Sequence, residues 1–181
     1  NSIVRIIFSA KLSDNVYYLL YRDYDISNST LGTVGICTFT KDNVEYEFTT
    51  PNISQHISEV SNLDCFISMN AQIGIKDGTY YAGVCVGNYV KSSILFTSQN
   101  MKDFQFWLTP NIESNDAVFE GACICKGNYL WYALRQEAKD IINPADRKMI
   151  IARININTKE IEHYCRITDA ASRACWIIDN N

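Results

Sequence analysis

Apolar and polar positions alternate along this chain in short runs closed by turn residues, with a period near two rather than that of a helix. Residues 3–8 read as a strand, Ser13-Asp14-Asn15 as a turn and residues 16–21 as the return strand. After a polar loop at 23–30, residues 33–40 and 44–50 read as two more strands, joined by Lys41-Asp42-Asn43 and ended by Pro51. The fourth run places Tyr46 and Phe48 on one face and Glu45 and Glu47 on the other, as in a strand wetted on one side. The order returns at residues 65–75, 79–86, 92–98 and 104–109, with Lys76-Asp77-Gly78 at the first turn and Pro110 after the last run. A third round occupies residues 118–125, 129–134, 148–154 and 161–167, and its polar insertion at 136–147 matches the loop at 23–30 of the first.

Thr109-Pro110-Asn111 repeats Thr50-Pro51-Asn52 at a lag of 59, and Phe96-Thr97 repeats Phe39-Thr40 at a lag of 57. Recurrence of four short strands at such a spacing is the signature of propeller blades. The expected fold is therefore all-β, a partial β-propeller of about three four-stranded antiparallel blades at 3–52, 64–111 and 117–168. The alternative is a β-sandwich of evenly spaced hairpins. Residues 174–178 read as one more apolar strand, opening a fourth blade at 172–181 with Asp179-Asn180-Asn181 as its turn. Three blades are too few for the usual ring of roughly four to eight, and a lone strand leaves an unpaired edge. The expectation is a single propeller-like segment of a larger chain, completed by further blades of the same chain or of another copy; Asn1 in first place agrees with an excerpt.

Gly127-Asn128, between two apolar runs, is a pair suited to a two-residue hairpin turn. Stepping away from that turn one for one sets Lys126 opposite Tyr129 and Glu120 opposite Arg135. Glu120 lies six residues before Lys126, Asn70 six before Lys76, Arg173 six before Asp179 and Arg5 seven before Leu12. In a propeller these positions head the innermost strands, so Arg5, Asn70, Glu120 and Arg173 are expected to surround one polar mouth, joined there by Arg135. The plain reading of Glu120 and Arg135 is a cross-strand ion pair, and Asp23, opposite Arg5 across a three-residue turn, is read as neutralising that arginine. Tyr17, Tyr18, Tyr80, Tyr81, Tyr129, Trp131 and Tyr132 lie on return strands and are read mainly as packing between blades. His56 and His163 have no triad or metal partner in the sequence and are read as surface residues.

Charge narrows the function classes. A net charge of -4 with scattered Lys and Arg lacks the concentrated basic face of a nucleic-acid groove. No apolar run approaches the roughly 20 residues that span a bilayer, so no membrane insertion is expected. The seven cysteines lie mostly inside apolar runs, and Cys123-Ile124-Cys125 has the wrong spacing for the usual zinc pair. They read as buried free thiols of a chain made in a reducing cytoplasm, with neither metal nor cofactor expected.

The mouth residues resemble the sialidase superfamily of propellers, BNR-repeat glycosidases in which an arginine heads the first inner strand. In that family a glutamate is followed fifteen residues later by a second arginine, and a third arginine comes from a later blade; Glu120 and Arg135 have that spacing here. The resemblance implies that Arg5, Arg135 and Arg173 bind a sugar carboxylate through paired guanidinium donors, while the glutamate assists a tyrosine nucleophile. The family's Asp box appears only in degraded form from Ser98 to Trp107, without its glycine, and its acid-base aspartate and nucleophilic tyrosine have no counterparts that can be placed. Glu120-Gly121 ahead of Lys126-Gly127-Asn128-Tyr129 also resembles the inner strand of arabinanase-type glycosidases, which implies Glu120 as general acid. The leading expectation is a glycan-recognition module of a larger extracellular or virion-surface protein, such as a phage tail fibre or spike. A glycoside hydrolase of sialidase or arabinanase type using Glu120, and a structural scaffold for protein contacts, are the alternatives.

Overall fold

The computed structural model describes residues 2–11, 15–25, 30–42, 46–49, 52–53, 68–69, 72–86, 92–110, 117–137, 148–168 and 176–177. Among the described residues all regular structure is β. The first sheet runs β1 (Ser2–Lys11), β2 (Val16–Asp25), β3 (Thr30–Thr40) and β4 (Tyr46–Thr49), neighbours in chain order. The second contains β5 (Asn52–Ile53), β6 (Ser68–Met69), β7 (Gly74–Lys76), β8 (Thr79–Val86), β9 (Ser92–Ser98) and β10 (Asp103–Leu108). The third runs β11 (Ala117–Lys126), β12 (Tyr129–Glu137), β13 (Lys148–Asn155) and β14 (Ile161–Thr168), again in chain order.

Local chemistry accounts for the hairpins. Asp77 and Gly78 both take positive φ, 49° and 75°, as a type I′ turn requires, and Asp-Gly is a favoured pair for it. Gly127 takes a φ of 60° at the first central position of the next tight turn, where only glycine sits without strain. These turns match the right-handed twist of the strands they join.

The second and third sheets stack face to face. Cys123, Leu130, Tyr132, Leu134, Ile150, Ala152 and Ile154 of the third pack against Tyr81, Leu95 and Trp107 of the second. The Tyr81 and Trp107 rings meet edge to face at 5.1 Å. Alternation on β13 sends Ile150, Ala152 and Ile154 into this core and leaves Met149, Ile151 and Arg153 half-buried on the opposite face. Tyr18, Tyr81 and Tyr132 are buried, so these return-strand aromatics are packing residues, as expected.

The innermost strands stand side by side. β1 approaches β6, and β11 approaches β6 and β7. Gln72 and Ala122 form a parallel bridge between the second and third sheets. Stacked antiparallel sheets whose first strands neighbour one another around a common centre are blades, and the chain is a partial β-propeller rather than a two-layer sandwich.

Two departures from the expected strands concern the second blade. Asn52, expected as the last residue of the first repeat, instead opens β5, a parallel edge strand on β10 that pairs Asn52 with Asp103 and Ile53 with Phe104. The single strand expected over 65–75 is divided into β6 and β7, both paired with β8. Of the expected strand at 174–178, Trp176 and Ile177 are described and neither lies in a strand.

Candidate functional site

Each innermost strand carries an irregularity near the place where the sequence puts its polar candidates. On β1, Ile6 pairs with Tyr21 but Phe8 with Leu20, which leaves Ile7 as an extra residue. Between β6 and β7 the break is larger: Met69 pairs with Val84 and Gly74 with Tyr81, so five steps on one side span three on the other. On β11, Phe119 pairs with Arg135 and Gly121 with Leu134, and Glu120 is the extra residue. A bulge bends its strand, re-aims a side chain and recurs beside functional sites.

Gly121 makes the bulge at Glu120 sterically feasible. It is buried, and a Cβ there would collide with the Ala133 carbonyl oxygen and lie 3.0 Å from Tyr132 Cε2. The close approach of the two backbones at this point needs a residue without a side chain.

The bulges correct the expected register. Arg135 lies opposite Phe119, not Glu120, because the extra residue shifts everything beyond Gly121 by one place. Arg135 is half-buried on β12 and pairs on its other side with Met149 of β13. Arg5 lies opposite Arg22 instead of Asp23, which pairs with Val4; the bulge at Ile7 is again the reason. The side chains of Arg5 and Glu120, and Asn70 and Arg173 altogether, lie outside the described residues. The described backbone therefore sets Glu120 and Arg135 beside each other around one bulge.

Gln72 and Trp176 are central to this hub and were not singled out from the sequence. The Gln72 carbonyl accepts the Cys123 amide proton at 2.8 Å. Its side chain behaves like a backbone unit toward Trp176, accepting from the Trp176 amide at 2.7 Å and donating to the Trp176 carbonyl at 3.3 Å. The Trp176 indole N–H in turn donates to the Ala122 carbonyl at 2.9 Å. Gln72 stands four residues before Lys76, as Ala122 stands four before Lys126, so counting from each turn finds this pair.

The opposite end of the blades is a rim of linked turns. Lys76 Nζ donates to the Gly127 carbonyl and to Asn128 Oδ1, both at 2.8 Å, tying the second blade's inner turn to the third's. Ser98 Oγ accepts from the Met101 amide at 2.8 Å, and Asn100 Oδ1 accepts from the Lys102 and Asp103 amides at 2.8 Å. This is the segment with the degraded Asp box. Its polar groups close the turn and border a shallow depression of ≈ 180 Å³ beside Thr97, Gln99 and Gln105.

On the half-buried face of the third blade, Arg153 pairs with Glu162 at 3.0 Å and lies over the Tyr129 and Trp131 rings at 4.7 and 5.8 Å. The Asn155 amide foremost, with the Arg153 guanidinium beside it, holds the Glu162 carboxyl below the usual carboxylate range. No cluster able to hold a metal ion occurs among the described residues. His163 is exposed, as expected; His56 lies outside the described residues.

Cys37, Cys123, Cys125 and Cys165 are free thiols. Burial pushes the Cys125 thiol up to about 11 despite the opposing charge of Lys76, while Cys165 is exposed on the outer strand β14. Alkylation follows thiolate fraction and access. Timed iodoacetamide treatment of the folded chain at neutral pH, read by peptide mapping, should therefore label Cys165 well ahead of Cys123 and Cys125, with the difference vanishing in denaturant.

No family model matches the chain, and no curated protein sequence matches it. Its fold is similar to those of solved structures, among them the endo-arabinase from Bacteroides thetaiotaomicron VPI-5482, with a TM-score of 0.63 and 15% identity. The likeness covers 92% of this chain and 56% of that one, so the chain spans a little over half the length of the structure it matches. At this identity the shared property is the fold.

Proposed function

We propose that this chain is the glycan-recognising part of a β-propeller, with the bulged segments of its innermost strands forming the floor of the binding mouth. The observation that carries this reading is the recurrence of a register break in all three innermost strands, close to Arg5 and Asn70 and at Glu120 itself. A fold similar to that of an endo-arabinase supports a carbohydrate as the ligand. Guanidinium groups at Arg5, Arg135 and Arg173 would favour an acidic sugar, since each presents paired planar donors to a carboxylate. With this reading we propose a secreted or virion-surface placement, where a module of this kind would meet extracellular polysaccharide.

Glycan-array binding by the chain and its Arg135→Ala variant tests the reading. Loss of a charge-assisted hydrogen bond worth about 1.5–3 kcal/mol weakens binding of acidic glycans about tenfold to a hundredfold. Equal binding by both proteins, or none by either, counts against it.

A second reading, glycoside hydrolysis, is favoured by one observation: Glu120 is the bulged residue, held where Gly121 lets two backbones meet. Bulges re-aim side chains beside active sites. In that case Glu120 acts as general acid on the glycosidic oxygen. Turnover of arabinan or a sialoside that is abolished in Glu120→Gln would decide for hydrolysis over binding alone.

A further inference from the structure

Three segments far apart in the chain are tied into a closed triangle of hydrogen bonds next to the bulge at Glu120. The main chain of Gln72 accepts from the Cys123 amide at 2.8 Å and bridges to Ala122 on β11. The carboxamide of the same residue forms a two-bond rung with the main chain of Trp176, accepting from its amide at 2.7 Å and donating to its carbonyl at 3.3 Å. The third side is the Trp176 indole, whose N–H returns to the Ala122 carbonyl at 2.9 Å while its ring rests on Ala122 and Ala133. Each segment is bonded to both of the others, and three bodies linked in that way have no free hinge between them.

A candidate residue of the mouth precedes each corner in the chain. Asn70 stands two residues before Gln72, Glu120 two before Ala122 and Arg173 three before Trp176. An extended chain advances at most about 3.6 Å per residue, so each candidate is within roughly 7–11 Å of its corner. We infer that Gln72 is a positioning residue of the mouth: by holding the main chain of Trp176 at one register against β11, it fixes where Arg173 meets the ligand. This role rests on the glycan mouth proposed above. The chemistry of the rung favours positioning over simple stabilisation. An apolar contact has no direction and lets a segment slide, whereas a carboxamide that both accepts from and donates to one residue's main chain selects that residue. A slip of one place would set Cys175 or Ile177 in the rung and take the indole away from Ala122.

Gln72→Leu removes the carboxamide and keeps an apolar side chain of similar size, while Gln72→Glu keeps the acceptor for the Trp176 amide and loses the donor. The first measurement needs no ligand. Each of the three tryptophans gives one indole N–H signal in a nitrogen-15 spectrum, and Trp176→Phe identifies that of Trp176. In Gln72→Leu its exchange with solvent should speed up about tenfold or more, with Gln72→Glu in between, and exchange at the buried Trp107 should stay as in the parent. Unchanged exchange at Trp176, or equal acceleration at both tryptophans, overturns the inference, because Gln72 is then idle or a general support of the fold. The second measurement is a double-mutant cycle with sialyllactose and a galacturonate oligomer as probes. Gln72→Leu should weaken binding about tenfold, and its combination with Arg173→Ala should bind no more weakly than Arg173→Ala alone. Additive losses, or full affinity in Gln72→Leu, overturn the inference. A parent that binds neither probe defeats the acidic-glycan reading instead, and the exchange contrast then decides alone whether Gln72 fixes Trp176.

Discussion

Replacing Gly121 by alanine should lower the unfolding free energy by about 1–3 kcal/mol, the usual range for forcing atoms into a filled interior. The added methyl group meets the main-chain carbonyl of Ala133, which belongs to the ladder between β11 and β12 and cannot rotate away like a side chain. The strands must separate or the bulge must move, and either change displaces Glu120. Urea denaturation of the variant measures the stability loss, and under the proposed function the same protein should also bind glycans more weakly. Gly127→Ala is the control. Its Cβ would point into open space, so its cost, about 1 kcal/mol or more, comes only from the positive φ of the turn and should leave the mouth unchanged. Equal stability of Gly121→Ala and the parent would mean that the two strands are not in close contact at the bulge.

The largest loss is expected from Tyr132→Ala. Tyr132 is fully buried in the core shared by the second and third blades, surrounded by apolar residues of both. Truncating a large buried ring costs about 3–5 kcal/mol, part lost transfer free energy and part the cavity left behind. Against a typical total of about 5–15 kcal/mol, that approaches the stability of the whole fold. Thermal and denaturant unfolding should both shift sharply, and the third blade should detach from the second if the blades have separate stabilities. An unchanged midpoint would show that the sheets do not pack through this face.

The Glu120–Arg135 register shows where reading a sequence succeeds and where it runs out. Counting outward from Gly127-Asn128 is correct for Lys126 with Tyr129, Cys125 with Leu130 and onward to Gly121 with Leu134. It fails one residue later. The extra residue at Glu120 leaves the alternation of the flanking runs intact, and the glycine that permits it looks in sequence like any small strand residue. The same failure at Ile7 moved Arg5 from Asp23 to Arg22. Pro51 follows the fourth strand, as its turn chemistry requires, but nothing local shows that the two residues after it join the edge of the next sheet.

Alternation at a period of two and the dihedral demands of Asp77-Gly78 and Gly127-Asn128 act between residues a few places apart. For that reason the sequence alone determined the all-β character, the recurring quartets of strands and the tight hairpins. Which residues share the hub was decided only in three dimensions. Gln72 and Trp176 meet across 104 positions, and the partner of each sheet face is fixed by the packing of whole blades rather than by any local preference. Contacts between residues so distant depend on every bulge and turn that lies between them.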